Sequence, residues 1–216
     1  MLRLRPYKSC DSETIAQWIQ NKDVFLKWGG DRFGQYPVTA EIIDRKYMTE
    51  NGDCAEPDNF YPWVAIDDEN RAVGHFIMRY LHGDHRILRF GWVIIDNTMR
   101  GKGYGTEMLR AGLKYAFEIM HADVVTIGVF ENNESAHQCY LNAGFADREI
   151  VRSEPWNIIE MEIRKKDQPD PFCSVSARTS SGVGGYSGSG KREIATAEQA
   201  AAKRTRSSSL IPFSKP

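Results

Sequence analysis

The sequence predicts an α/β fold with a mixed, mostly antiparallel sheet flanked by helices. Three observations support this. Short apolar runs typical of strands occur near both ends of residues 1–165 and in the middle, and amphipathic segments with a three- and four-residue period separate them. Several runs follow one another across short polar turns, which favours hairpins. The predicted order is β-α-α-β-β-β-α-β-α-β-β, enough for one domain.

The first third of the chain is predicted to hold one strand and then helices. The strand covers residues 2–7, where leucines alternate with arginines. Ser9 or Asp11 begins a helix and Thr39 begins another, because each side chain can accept a hydrogen bond from the free N–H groups of a first helical turn. A shorter helical piece is predicted between them, over residues 23–28.

Three strand-like runs follow, at residues 61–66, 72–81 and 87–95. Two short polar turns separate them, so we predict an antiparallel meander. The apolar period then changes to three and four, which predicts a helix from about 104 to 120.

The end of the predicted domain repeats the alternation of strand and helix. We predict a strand over residues 124–129, a short helix over 133–143 that Gly144 ends, and a closing antiparallel pair at 145–151 and 156–163.

Charge and composition divide the chain in two. The net charge is −1, from 28 Lys and Arg against 29 Asp and Glu. Residues 1–165 carry 20 of the basic and 25 of the acidic residues, whereas 11 of the 20 residues in 171–190 are Ser or Gly. We therefore expect a folded, acidic domain over residues 1–166 and a low-complexity, disordered, basic tail over residues 167–216.

Composition also excludes several classes of protein. No apolar run approaches the roughly 20 residues of a membrane span, and the first residues lack the apolar stretch of a signal peptide. We therefore expect a cytoplasmic protein without a membrane partner.

The balanced charge argues against a highly basic nucleic-acid binder, although recruitment of RNA by the basic tail stays an alternative. The four cysteines are widely spaced, so neither a disulfide framework nor a metal site is expected.

A glycine-rich loop between the third strand of the meander and the long helix carries the strongest functional signal. Glycines let the backbone approach a ligand closely, and the unpaired N–H groups and dipole of the helix start favour an anion such as pyrophosphate. The residues expected to bind it are Arg100, Gly101, Lys102, Gly103, Tyr104, Gly105 and Thr106.

Three phosphate-binding patterns compete for this loop. It lacks the Gly-Lys-Ser/Thr ending of a P-loop, and its G-x-G-x-G spacing differs from the G-x-G-x-x-G of a dinucleotide site. The pattern of an acyl-CoA pyrophosphate loop fits, with Arg100, Gly103 and Gly105 at its fixed positions. Taken alone, the loop also allows a plain Gly-rich turn that caps a helix.

A second segment about 25 residues further on has the pattern V-x-x-x-N-x-x-A-x-x-x-Y-x-x-x-G-F. Its fixed positions are Val129, Asn133, Ala136, Tyr140, Gly144 and Phe145. Together the two segments closely resemble the acetyl-CoA-binding core of the GNAT superfamily of N-acyltransferases. The resemblance spans roughly residues 1–165, because the order of elements also matches the family fold.

This resemblance implies that acetyl-CoA is a co-substrate and that a primary amine attacks its thioester directly. It also implies that strands 87–95 and 124–130 separate at their ends and hold the pantetheine arm between them. Asn133 would bond backbone or co-substrate, with a plain helix cap as the alternative. The implied binding residues outside the glycine loop are Val93, Ile94, Ile95, Asn133 and Tyr140.

The same resemblance assigns part of the catalysis. Tyr140 matches the position that gives a proton to the leaving thiolate. The general base is less evident, because Gly128 stands where acetyltransferases of the ribosomal-protein type carry a glutamate, twelve residues before the tyrosine. Glu131 is our candidate base, ahead of Glu160 and Asp31.

The acceptor is expected to be an amine-bearing small molecule or peptide. Aromatic residues are frequent in the first half of the chain, where the family forms its acceptor wall, and Asp31, Glu56 and Asp58 would attract a cationic amine there. An ordinary core with an acidic surface explains the same residues. The aromatic set is Trp28, Phe33, Tyr36, Tyr47, Phe60, Tyr61, Trp63 and Trp92. A non-catalytic acyl-CoA sensor is the alternative function, and a homodimer is compatible with the sequence.

Overall fold

Seven strands form one mixed sheet with helices on both faces, in the part of the chain that the computed structural model describes, residues 2–167. The strands are β1 (Arg3–Pro6), β2 (Tyr61–Ile66), β3 (Ala72–Leu81), β4 (Asp84–Ile95), β5 (Val124–Phe130), β6 (Ala146–Val151) and β7 (Ile158–Arg164). The helices are α1 (Asp11–Trp18), α2 (Lys22–Trp28), α3 (Ala40–Met48), α4 (Tyr104–Glu118) and α5 (Glu134–Ala143), besides short 3₁₀ turns.

The predicted fold class is confirmed. Three helices precede β2, and the middle one, α2, is the short helical piece predicted over residues 23–28, which the predicted order left out. Asn21 caps α2 by accepting a hydrogen bond from the Val24 N–H. Thr39 caps α3 as predicted. The tail predicted from residue 167 onward lies outside the described residues, apart from Asp167.

The strands lie in the order β1-β2-β3-β4-β5-β7-β6. Every neighbouring pair is antiparallel except β4 and β5, which run parallel. The last two strands pair with each other as predicted. The later of them, β7, lies directly beside β5 and leaves β6 at the edge of the sheet.

Apolar side chains pack on both faces of the sheet. On one face, the helix α4 contributes Met108, Leu109, Leu113, Ala116 and Phe117, which lie on one side of the helix and are almost fully buried. Helix α5 covers the same face through Tyr140 and Ala143. The other face is covered by α1, α2 and α3, whose buried residues form a second core.

The two parallel strands separate half-way along their length, as the family resemblance implied. β4 and β5 pair only from Ile87 to Phe90 and from Val124 to Ile127. Beyond that point Trp92 has a φ of 47° and the register of β4 against β3 shifts by one residue, which is a β-bulge. Beyond the bulge β4 stays paired with β3, whereas β5 stays paired with β7 to its end. A gap therefore opens between the two strands.

Candidate active site

A small cavity of about 100 Å³ lies where β4 and β5 separate. It is lined by Lys27 of α2, Arg89 of β4, Gly128, Val129 and Phe130 of β5, Asn133 before α5, Tyr140 of α5 and Ile158 of β7. Because α2 and α5 cover opposite faces of the sheet, residues from both faces line the cavity. This position allows two reactants to meet from opposite sides of the sheet.

The glycine loop follows β4 and leads into α4. Gly103 is the N-cap of α4 with a φ of 86°, Gly101 has a φ of 75°, and no side chain caps the helix. A Cβ atom added to either glycine would have no heavy atom within 4 Å. The backbone of the loop is therefore open to a ligand, and the left-handed conformation favours glycine there. These residues fit the binding of a pyrophosphate by free N–H groups.

The third glycine of the loop has a different role. A Cβ atom on Gly105 would lie 2.9 Å from the Cys139 Sγ atom. The Thr106 hydroxyl also faces α5, 3.5 Å from the Cys139 carbonyl oxygen. Gly105 thus lets α4 approach α5 closely. Because the Thr106 side chain also faces α5, the predicted ligands at these two positions are the backbone N–H groups.

The charged residues of the loop point in different directions. The Arg100 Nε atom donates to the Ile95 carbonyl oxygen at 3.3 Å, and partial burial lowers the pKa of Arg100. The Lys102 Nζ atom lies 3.9 Å from the Met99 sulfur, at an exposed position. Tyr104 packs against the core on the α4 side.

The end of β4 directs main-chain groups into the gap. The Asp96 N–H donates to the Val73 carbonyl oxygen on β3. Because successive residues of a strand direct their N–H and C=O groups to opposite sides, Ile94 faces β3 while Val93 and Ile95 face the gap. The side chain of Ile94 is buried in the core on the α1–α3 face.

The two predicted residues of the second segment meet at the cavity. Asn133 occupies the N-cap position of α5 without capping it, because its Oδ1 atom accepts from the Ser135 hydroxyl at 3.3 Å instead. The plain helix cap is therefore wrong for Asn133. Tyr140 is 6% exposed, and its hydroxyl has no hydrogen-bond partner within residues 2–167. Burial raises the pKa of Tyr140 and keeps the phenol protonated at neutral pH.

None of the three candidate bases lines the cavity, and only Glu160 pairs with a residue that does. The Glu131 carboxylate accepts from the Asn157 side-chain amide at 2.7 Å and does not line the cavity. Asp31 pairs with Arg32 at 3.5 Å on the surface. Glu160 pairs with the cavity residue Arg89. Neither Arg89 nor Lys27 stands in a motif, so sequence reasoning missed both.

The predicted acceptor wall is divided between the two faces of the sheet. One group of its aromatic rings is in mutual contact around Trp92. The Trp92 ring stacks on Tyr47 at 5.5 Å and meets Phe33 edge-on. In contrast, Tyr61 and Trp63 of β2 pack on the α4 face.

The remaining acceptor residues lie away from the cavity. Tyr36 packs on Phe25 and is 37% exposed. The acidic residues Asp31, Glu56 and Asp58 do not line the cavity. Within residues 2–167, no helix is long and apolar enough to cross a membrane, and no cluster of three metal-ligating side chains occurs.

Known proteins resemble this chain in sequence and in structure. Residues 1–146 match the family model described as an acetyltransferase (GNAT) domain. The chain is 26% identical over 152 residues to the probable N-acetyltransferase YjcK of Bacillus subtilis, covering 69% of this chain and 82% of that protein. It is also 26% identical over 121 residues to an uncharacterized N-acetyltransferase of the same organism, YnaD, covering 56% and 64%.

Two solved structures share the fold. The spermidine N-acetyltransferase from Vibrio cholerae, in complex with CoA and spermine, has a TM-score of 0.64 at 19% identity. The aminoglycoside acetyltransferase AAC(6')-Ib, in complex with coenzyme A, has a TM-score of 0.64 at 17% identity. Each alignment covers 77% of this chain and 96% of the other. The family match extends over more than half of the sequence, so this chain belongs to the GNAT family and is an N-acetyltransferase.

Proposed function

We propose that residues 1–166 transfer an acetyl group from acetyl-CoA to a primary amine, which attacks the thioester directly. The cavity between β4 and β5 carries this proposal, because residues from helices on both faces line it and because the Tyr140 hydroxyl has no hydrogen-bond partner among residues 2–167. The thioester would lie on the α5 side and the amine on the α2 side.

The binding of acetyl-CoA is supported by two features of the loop and strand. Gly101 and Gly103 leave the start of α4 open to a pyrophosphate. Val93 directs its N–H and C=O groups into the gap and Ile95 directs its N–H group there, where they would bond the amides of the pantetheine arm, while the Ile95 carbonyl accepts from Arg100. Two structural neighbours were solved with CoA, which agrees with this assignment.

Tyr140 is the proposed acid of the reaction. When the C–S bond breaks, the thiolate needs a proton, and a buried, protonated phenol at the cavity can supply it. Asn133 lines the same cavity with a side chain that caps no backbone group, so its amide remains free to orient the co-substrate.

The acceptor is proposed to be a primary amine on a small molecule or peptide. Names of the structural neighbours include spermidine and aminoglycosides, which are both amines. The cations Lys27 and Arg89, however, line the cavity of this chain, and each pairs with a carboxylate next to the lining, Asp23 and Glu160. An acceptor with a single amine suits this balance of charge better than a long polycation.

A thiol-release assay with acetyl-CoA and a panel of amines tests the proposal on the full chain. The panel contains polyamines, aminoglycosides, amino acids and peptides with free N-termini. We expect CoA release that depends on one class of amine. Calorimetric binding of CoA with no release for any amine would favour a non-catalytic sensor instead.

Gly103→Ala tests the glycine loop. A side chain at a φ of 86° costs about 1–2 kcal/mol, so the loop is expected to leave its open conformation and the KM for acetyl-CoA to rise about tenfold. Gly83→Ala is the matched control, because Gly83 has a φ of 68° in the turn between β3 and β4. An equal rise in KM for both variants would contradict the proposed role of the loop.

A further inference from the structure

The Glu160 carboxylate lies next to the cavity, paired with the lining residue Arg89, and we propose that it is the general base. Glu160 on β7 would take the proton from the acceptor amine, while Gly128 on β5 provides the space and Arg89 on β4 holds the carboxylate in place. This inference rests on the function proposed above.

Glu160 reaches across the sheet into the space above Gly128. The two residues are register partners on β7 and β5. A Cβ atom on Gly128 would lie 3.2 Å from the Glu160 Oε1 atom and 2.6 Å from the Arg89 Nη2 atom. The volume that a side chain at position 128 would fill is therefore occupied by this ion pair. The Glu160 carboxylate on β7 therefore lies close to the position that the Cβ atom of a glutamate at position 128 would take.

Arg89 fixes the orientation of the carboxylate. Its Nη1 and Nη2 atoms donate to Oε2 and Oε1 of Glu160 at 2.6 and 2.8 Å. Such a bidentate pair restricts both side chains to one geometry. Each side chain is 23% exposed, so the pair remains within reach of a ligand.

The base and the acid lie on opposite faces of the sheet. Phe90, Ile127 and Met161 are buried on the α4–α5 face with Tyr140. Because side chains alternate along a strand, their neighbours Arg89, Gly128 and Glu160 face α1, α2 and α3. An amine that enters on the α2 side would thus meet Glu160 before the thioester, and the thiol would form beside Tyr140.

Few other charges surround Glu160. Lys27 on α2 lines the same cavity, and Glu149 on β6 is the register partner of Glu160 on its other side. On β7 itself, Glu162 is two residues along and pairs with Arg164 at 2.9 Å.

The protons balance in the following way. An alkyl ammonium has a pKa near 10.4, so roughly one molecule in a few thousand is neutral at pH 7. Glu160 takes one proton from the ammonium, and the nitrogen lone pair forms the C–N bond to the acetyl carbon. The C–S bond breaks with its electron pair on sulfur, which takes a proton from Tyr140. The second proton lost from nitrogen restores the phenol, and Glu160 releases its own to solvent.

Three glutamine variants separate the candidates, measured with the amine that the full chain acetylates. We expect Glu160→Gln to lower kcat/KM about 10²-fold and to remove the fall of the rate on the acid side of the pH profile, with unchanged affinity for CoA. Glu162→Gln is the matched control, since it lies on the same strand and face and also pairs with arginine. Glu131→Gln tests the other candidate. Glu162→Gln is expected to keep the wild-type rate and pH profile, and the loss of rate is expected to be much larger in Glu160→Gln than in Glu131→Gln.

Glu160→Asp is the control for a loss of structure, because it keeps a carboxylate at this position. It is expected to retain the acid-side limb of the pH profile with a partly reduced rate. A normal rate in Glu160→Gln, or a large loss in Glu131→Gln alone, would overturn the inference. If the unmodified chain acetylates no amine, the proposed function fails instead, and the two failures are thereby distinguished.

Discussion

Replacement of Tyr140 by phenylalanine is expected to lower kcat by about 10²–10⁴-fold, with little change in the KM for acetyl-CoA. The variant removes one oxygen atom from a buried ring at the cavity. That hydroxyl bonds no protein group within residues 2–167, so the fold loses no hydrogen bond. The loss would fall on the departure of the thiolate, which then lacks its proton donor. Stopped thiol-release assays with saturating amine measure the effect.

Tyr115→Phe is the matched control for this variant. Tyr115 lies on α4, is partly buried, and packs against Trp63 away from the cavity. Its variant is expected to keep the wild-type kcat. If Tyr140→Phe turns over at a comparable rate to Tyr115→Phe while both stay folded, Tyr140 is not the acid.

The sequence predicted the parts of this site that depend on neighbouring residues. The glycine loop and the start of α4 were predicted because left-handed glycines before an amphipathic helix are a local pattern. The position of Tyr140 on α5 follows from a local motif in the same way. The close contact of Gly105 with Cys139 was not predicted, because it joins residues of two helices that are more than 30 positions apart in the sequence.

Other features depend on contacts that a single sequence does not show. The family resemblance implied the gap between β4 and β5, but not the bulge at Trp92 that accompanies it, because a tryptophan with a positive φ has no signature in the sequence. The approach of Glu160 to Gly128 requires that β7, not β6, lies beside β5. The sequence alone shows that Gly128 stands where related enzymes carry a glutamate. The order of the strands shows that the Glu160 carboxylate lies next to this glycine.

A buried histidine, His75, is expected to make the stability of the fold depend strongly on pH. His75 on β3 is fully buried, and its Nε2 atom lies 2.8 Å from the Tyr47 hydroxyl of α3. The two rings also stack, with centroids 5.4 Å apart. Burial disfavours the charged ring and lowers the pKa of His75 to about 3, against an ordinary value of 6.5.

This shift makes the fold sensitive to mild acid. Between pH 6.5 and 3 the unfolded chain binds a proton at His75 that the folded chain does not, so the free energy of unfolding falls as the pH falls. The expected slope is about 1.4 kcal/mol per pH unit, with a total near roughly 5 kcal/mol at pH 3. Urea unfolding of the full chain at pH 7 and pH 4.5 should therefore differ by about 2–3 kcal/mol.

His75→Gln separates this contribution from the carboxylates. It is expected to be less stable than the unmodified chain at pH 7, because it disturbs the contact with Tyr47, and to lose little further stability down to pH 4.5. Asp11, whose pKa is lowered by its pairing with Arg5, adds its own loss only at lower pH. His121→Asn, at an exposed position with a φ of 55° that asparagine tolerates, should keep the wild-type slope. A wild-type slope in His75→Gln would show that another group controls the response to acid.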